Sequence, residues 1–314
     1  MTPTPTVHLL ATLDTKGLEA ALVRDVLQQC GVACTLVDTG CLAASPIEAD
    51  ITSQELYAAA GGSLAALRAA GDRGAAVAAA AQGAVQLLRV RHAAGLVAGV
   101  LGLGGSAGTT IATAAMRALP IGLPKLMVST LASGQVRHYV GDKDITMVNS
   151  IVDIAGINRV SRPVLANAAR AMAGMVALAK SPPSQGDKPL VAATMFGVTT
   201  PCVQGARAVL EAAGCEVLVF HATGAGGQAM ESLVADGLIA GVLDITTTEL
   251  ADELVGGVLS AGPQRLTAAG RHGVPQVVSV GALDMVNFHA WDSVPERFRS
   301  RLLYRHNPNV TLMR

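Results

Sequence analysis

Aromatic residues are scarce in this chain of 314 residues: one Trp, three Tyr and four Phe make up 3%, whereas hydrophobic residues make up 51%. The core must therefore be built from Ala, Val, Leu and Ile, the composition that parallel strands buried on both faces require. A charge excess is also missing, with 23 basic against 23 acidic residues and an isoelectric point near 7. That balance excludes a broad basic field for nucleic acid and any strong attraction to a membrane. The five cysteines, Cys30, Cys34, Cys41, Cys202 and Cys215, contain no CxxC pair. Cys30 and Cys34 flank Gly31 at a helix end without sharing a face, so no metal site is expected, and reduced thiols of a cytoplasmic protein are the plain reading.

The segment from Met1 to Val7 has neither a basic region nor an apolar run, so no secretory signal is visible. Between Arg91 and Arg117 no Asp, Glu, Lys or Arg occurs, but six glycines, three threonines and a serine lie there, which no lipid-facing helix needs. No HExxH pair or DFG-like magnesium motif is present, so no reaction is chosen.

What is present is a glycine-rich strand-to-helix junction. The apolar run from Gly95 to Leu101 enters Gly102-Leu-Gly-Gly-Ser-Ala-Gly-Thr-Thr110, and a helix of small and apolar residues follows from Ile111. Such a turn exposes backbone N–H groups at a helix N-terminus, where phosphate is the first ligand to consider. Gly102-x-Gly104-x-x-Ala107 is compatible with a dinucleotide fingerprint, but no acidic residue for the ribose stands about 20 positions further on. A Walker A loop would need a lysine directly after its last glycine, but Thr109 and Thr110 follow Gly108 and the next lysine is Lys125. Mononucleotide is thus favoured over dinucleotide, and an NAD(P)-dependent oxidoreductase comes last.

One unit is used twice. A strand at Val7 to Thr12, a helix ending at Gly31 and a strand to Val37 are repeated as Leu190 to Thr194, a helix ending at Gly214 and a strand to Phe220. Gly95-Leu-Val-Ala-Gly-Val-Leu101 is matched by Gly237-Leu-Ile-Ala-Gly-Val-Leu243, and Pro124 to Ser129 by Pro275 to Ser279. The changed offset implies an insertion of about 40 residues in the first half, near 43–73, where Leu56, Tyr57, Leu64 and Leu67 could face a partner subunit or cover a ligand. Two α/β Rossmann-like lobes follow, 1–182 and 188–314, each a mainly parallel sheet flanked by helices and joined through Ser181 to Pro189.

Ala11-Thr-Leu-Asp-Thr-Lys-Gly17, the Gly102 to Thr110 loop, Asp144-Ile-Thr-Met147, Met195-Phe-Gly-Val-Thr-Thr-Pro-Cys202 and Gly281-Ala-Leu-Asp-Met-Val-Asn287 together resemble the UPF0261 family of Tm-1-like ATP-binding domains. The resemblance runs from Val7 to Arg314. It implies a two-lobed protein that binds ATP with magnesium and forms homodimers; in a plant member the domain inhibits a viral replication protein. Members usually continue past Asn307 to Arg314, so the second lobe is expected to be cut short, and Ala107 stands where a glycine is common. Only nucleotide binding is carried over, to Asp14, Thr15, Lys16, Asp38, Thr39, Gly40, Gly102, Gly104, Gly105, Ser106, Gly108, Thr109, Thr110 and Thr130.

Plainer roles stand beside these. Asp14 and Thr15 could cap the helix that begins near Gly17. Lys16 is more pointed, because a cation at a helix start opposes the dipole unless an anion is present. Thr246 and Glu249 fit a capping box as well as an active site. The alternative function is a hydrolase or ATP-dependent enzyme using His221, Asp244, Glu249 and Asp284 across an inter-lobe cleft; His221 could equally be structural.

Overall fold

The computed structural model describes residues 4–178 and 187–314. The chain divides into two compact units, Met1–Pro182 and Pro183–Arg314. Of the expected linker, residues 181–186 lie outside the described residues.

The first unit runs β1 (Thr6–Ala11), α1 (Leu13–Gln29), β2 (Cys34–Asp38), α2 (Ser53–Ala59), α3 (Leu64–Ala70), α4 (Arg73–Ala93), β3 (Val97–Gly104), α5 (Ser106–Arg117), β4 (Lys125–Ser129), α6 (Arg137–Val140), β5 (Thr146–Asn149) and α7 (Ser161–Leu178). All five strands are parallel, in the order β2-β1-β3-β4-β5. A parallel sheet needs cover on both faces, and the apolar strand runs supply it. Leu9, Leu101, Leu103 and Val128 meet α1 and α7 on one side. Leu10, Val100 and Met127 meet α2, α4 and α5 on the other. Each such leucine contributes roughly 1.5–3 kcal/mol by leaving water.

The segment expected as an insertion holds α2 and α3. Leu56 and Tyr57 are buried there in the unit's own core, with Leu64 and Leu67 packed against it, so this stripe is not a free surface for a partner. Two polar pairs fasten the sheet. Lys125, wholly buried, donates to Asp144 Oδ1 at 2.7 Å, which gives the Asp144-Ile-Thr-Met147 motif a structural use. His8 on β1 accepts from Arg91 Nε at 2.6 Å, and burial together with the Arg91 charge lowers its pKa from 6.5 to about 4.

The second unit runs β6 (Leu190–Met195), α8 (Thr200–Ala212), β7 (Glu216–His221), α9 (Ala225–Ala235), β8 (Gly241–Thr246), α10 (Thr248–Val255), α11 (Ala268–His272), β9 (Gln276–Gly281), β10 (Val286–Phe288), β11 (Leu303–Asn307) and β12 (Val310–Met313). The order β7-β6-β8-β9, again parallel, repeats the first four strands of the other sheet. A separate antiparallel sheet, β10-β12-β11, was not expected from the strand and helix alternation; it packs on α10 through Val286, Phe288 and Met313. Among the described residues, no counterpart of α7 follows β9. β4 is buried along its whole length, whereas Val277, Val278 and Val280 of β9 are exposed. No helix among the described residues is long and apolar enough to cross a membrane.

Candidate functional site

The carboxyl ends of β1, β2 and β3 form one cavity of about 250 Å3. This is where ligands of open α/β sheets bind. After β1 the chain turns before it becomes helical: the Thr15 and Lys16 amides both donate to the Thr12 carbonyl, and Lys16 has φ −126° and ψ 18° within α1. The turn is latched to the loop after β2. Asp38 Oδ1 accepts from the Leu13 and Gly40 amides at 3.0 and 2.8 Å, and Asp14 Oδ2 accepts from the Leu42 amide at 2.8 Å. Gly40 is required by that latch, since a Cβ there would come within 2.7 Å of the Asp14 carboxyl carbon. Arg68 holds the same loop through the Cys41 and Ala43 carbonyls. Tyr57 lies below, and burial pushes its hydroxyl pKa up.

The third wall is the start of α5. Its N-cap, Gly105, makes no side-chain cap, and Gly105, Ser106, Ala107 and Gly108 all line the cavity. The first amides of a helix have no partner within the helix and carry its positive dipole end. Lys16 and Arg73 line the same space; neither forms an ion pair among the described residues, while Asp14 is the one carboxylate of the lining. Two cations against one anion leave the wall with an excess of one positive charge. An anion satisfies this arrangement.

The cavity brings together Asp14, Thr15, Lys16, Thr39, Gly105, Ser106 and Gly108 from the expected set. The others serve the scaffold. Asp38 is nearly buried, and burial raises its pKa even though two amides pull the other way. It stands at the end of β2, where a dinucleotide fold keeps its ribose acid, but its Oδ1 is committed to the Leu13 and Gly40 amides and it does not line the cavity. Gly102 makes room for Ala112 and Met127, and Gly104 lets the Gly108 backbone approach to 2.9 Å from where a Cβ would sit. Thr109 bonds Ser129 at 2.7 Å, Thr110 donates to the Ser106 carbonyl, and the Thr130 amide donates to Gly104. Arg73 was missed. It opens α4 directly after the Asp72 cap, so the argument that singled out Lys16, a cation at a helix start, would have found it.

The second unit does not assemble its four candidates. Asp244 and Glu249 are fully buried and held by Arg265, which donates to both Asp244 oxygens and, through Nε, to Glu249 Oε2 at 2.7 Å. Thr194 donates to Asp244 at 2.8 Å. Burial opposes the Arg265 charge, but hydrogen bonds and attraction from Asp244 and Glu249 outweigh it and raise its pKa. The other oxygen of Glu249 accepts from the Gly224 and Gly227 amides at 2.6 and 3.1 Å, so it caps α9 from a distance and no capping box forms at α10. His221 is exposed at the end of β7, its ring 5.4 Å from that of Phe196. Asp284 is a surface group 3.8 Å from Arg314. Asp244 and Glu249 are thus committed to Arg265, while His221 and Asp284 stand apart from that cluster at the surface. Arg265, which organises two of them, lies in an irregular stretch without sequence periodicity. Among the described residues no cluster of His, Cys, Asp and Glu could hold a metal ion, and all five cysteines are free thiols.

Comparison with known sequences agrees along the whole chain. Residues 5–181 match the N-terminal domain and 188–314 the C-terminal domain of "Uncharacterised protein family (UPF0261)". A UPF0261 protein of Clostridium tetani is 52% identical over 308 residues, 98% of this chain and 76% of that protein. A UPF0261 protein of Brucella suis is 34% identical over 98% of this chain and 73% of its own length. The ToMV resistance protein Tm-1 of Solanum lycopersicum is 52% identical over 222 residues, 69% of this chain and 29% of that protein.

Proposed function

The chain belongs to the UPF0261 family, and on that premise we propose that its first unit binds the phosphates of ATP in the cavity over β1, β2 and β3. The observation that carries this reading is the uncapped start of α5 facing Lys16 and Arg73, two cations without an acidic partner. Backbone amides and a helix dipole bind phosphate without a dedicated motif, and the two side chains add charge that would otherwise oppose the dipoles of α1 and α4. A volume of about 250 Å3 is just under the usual range for small-ligand pockets, so it takes phosphates and ribose and leaves the base at the rim. Magnesium would arrive on the phosphates, with Asp14 the one carboxylate among the described lining residues to meet it. Asp38 is buried and does not line the cavity, which disfavours NAD. No reaction is assigned. Five free thiols support a reducing, cytoplasmic setting, and the family resemblance a homodimer, which light scattering at micromolar concentration would check.

Gly105 provides the test. Its φ of −82° suits any residue, and an added Cβ would meet only Thr130 Oγ1, at 3.7 Å. Gly105→Val should fold with an unchanged ligand-free melting temperature and lose ATP binding. In the parent, ATP with magnesium at 100 times its dissociation constant should add about 2.7 kcal/mol of stability, and NAD none. Lys16→Ala should weaken ATP more than adenosine and leave the ligand-free protein unchanged or slightly more stable. A thermal shift with NAD and none with ATP would falsify the reading.

A further inference from the structure

The small antiparallel sheet has two edges, and they differ. β10 is buried along its whole length, whereas β11 pairs with β12 on one side and leaves four of its five residues, Tyr304 to Asn307, exposed. Hydrogen-bond alternation fixes which of its backbone groups are free. The Arg314 amide donates to the Leu302 carbonyl, so Leu302 and Tyr304 turn their backbone groups toward β12, while those of Leu303 and Arg305 point to the open side.

The charge along this edge has one sign. Residues 297–314 contain five arginines and neither Asp nor Glu, in a chain whose charges balance overall. Arg299 lies 4.0 Å from Glu296 and Arg314 3.8 Å from Asp284, but Arg301 and Arg305 have no carboxylate partner among the described residues. Arg305 instead stands over the Trp291 ring, its guanidinium 5.3 Å from the centroid. Next to these arginines in the chain, Leu302 and Tyr304 are 70% and 64% exposed.

Charges on an edge strand ordinarily keep a like strand away, and two copies of β11 would set arginine against arginine. A strand of opposite sign is attracted. We propose that β11 is a docking edge for an acidic, extended segment of a partner protein, which adds a fourth strand by pairing with the Leu303 and Arg305 backbones and sets carboxylates against Arg301 and Arg305. Arg305 and Tyr304 lie on opposite faces of β11, so the pattern that fits alternates acidic and apolar residues. The inference is independent of the nucleotide reading, because every residue it uses lies in the second unit.

The test uses the intact chain and short synthetic peptides: one of alternating glutamate and valine, one of alternating lysine and valine, and the glutamate peptide with its glutamate nitrogens methylated, which removes the amides that would pair with β11. Trp291, the chain's one tryptophan, reports binding by fluorescence because Arg305 rests on it. The glutamate peptide should bind about tenfold more tightly than either of the others, weaken as salt rises, and slow hydrogen exchange of the Leu303 and Arg305 amides. Arg305→Glu should pass the preference to the lysine peptide. Equal binding of the glutamate and lysine peptides, equal binding of the methylated one, or no peptide binding overturns the proposal, and so does a single-stranded oligothymidylate that binds where the glutamate peptide does not. The peptide comparison uses the parent protein and stands without the variant.

Discussion

The two units place a helix start above the carboxyl ends of similar parallel sheets and treat it in opposite ways. In the first, α5 opens into a cavity beside Lys16 and Arg73. In the second, the amides at the start of α9 are already satisfied by Glu249, a carboxylate more than 20 residues further along the chain. Similar backbone geometry thus yields a place for an external anion in one case and an internal one in the other. A glycine-rich strand-to-helix turn does not by itself decide between them; the decision rests with whichever acidic side chain reaches it.

The sharpest way to break the contrast is to remove the cation that makes the internal anion tolerable. Arg265→Met would leave Asp244 and Glu249 buried without compensation, and the second unit should lose about 3–5 kcal/mol. The chain's one tryptophan, Trp291, lies in that unit and reports its denaturation by fluorescence. An unchanged midpoint would mean the cluster is not the anchor described. Next in size is a pH effect confined to the first unit. The His8 pKa is lowered from 6.5 to about 4, so the neutral ring is the folded form, and its contribution is full above pH 6.5. That contribution, about 3 kcal/mol, is lost as pH falls through 6.5 toward 4. Hydrogen exchange on β1 amides should show the slope, and His8→Gln should flatten it.

The third experiment tries to make the second unit resemble the first. Glu249→Ala should empty the two glycine amides at the start of α9 and cost about 2 kcal/mol, the scale of hydrogen bonds to a charged group. Phosphate or sulfate should then recover part of that loss in the Trp291 transition, with no such recovery in the parent. If the variant ignores both ions, the resemblance between the two helix starts is only geometric.

The alternation of strands and helices, and the repeat, were legible because parallel strands buried on both faces leave continuous apolar runs such as Val97 to Leu103. The loops of the site were legible too, since hydroxyls, glycines and a lysine mark strand ends. Which members of those loops face the cavity was not. Gly102 and Gly104 read as ligand glycines because a missing Cβ looks the same whether a phosphate or Ala112 uses the space. Asp38 read as a ligand because the latch to Leu13 joins residues far apart in sequence. Asp244 and Glu249 read as catalytic because acids at strand ends do so unless their arginine is known, and Arg265 lies in a segment with no periodic pattern. The antiparallel sheet was missed for the same reason: its strands are short and follow irregular chain.

β9 lies at the edge of its sheet, with Val277, Val278 and Val280 exposed on a strand that carries no charge and no proline. A strand of this composition with one free hydrogen-bonding side is a template for pairing with its like. Once heat loosens the second unit, chains should meet first along Gln276–Gly281, so loss of the protein on warming becomes a matter of aggregation kinetics, faster at higher concentration. A lysine at Val278 would be expected to slow it by placing like charges side by side.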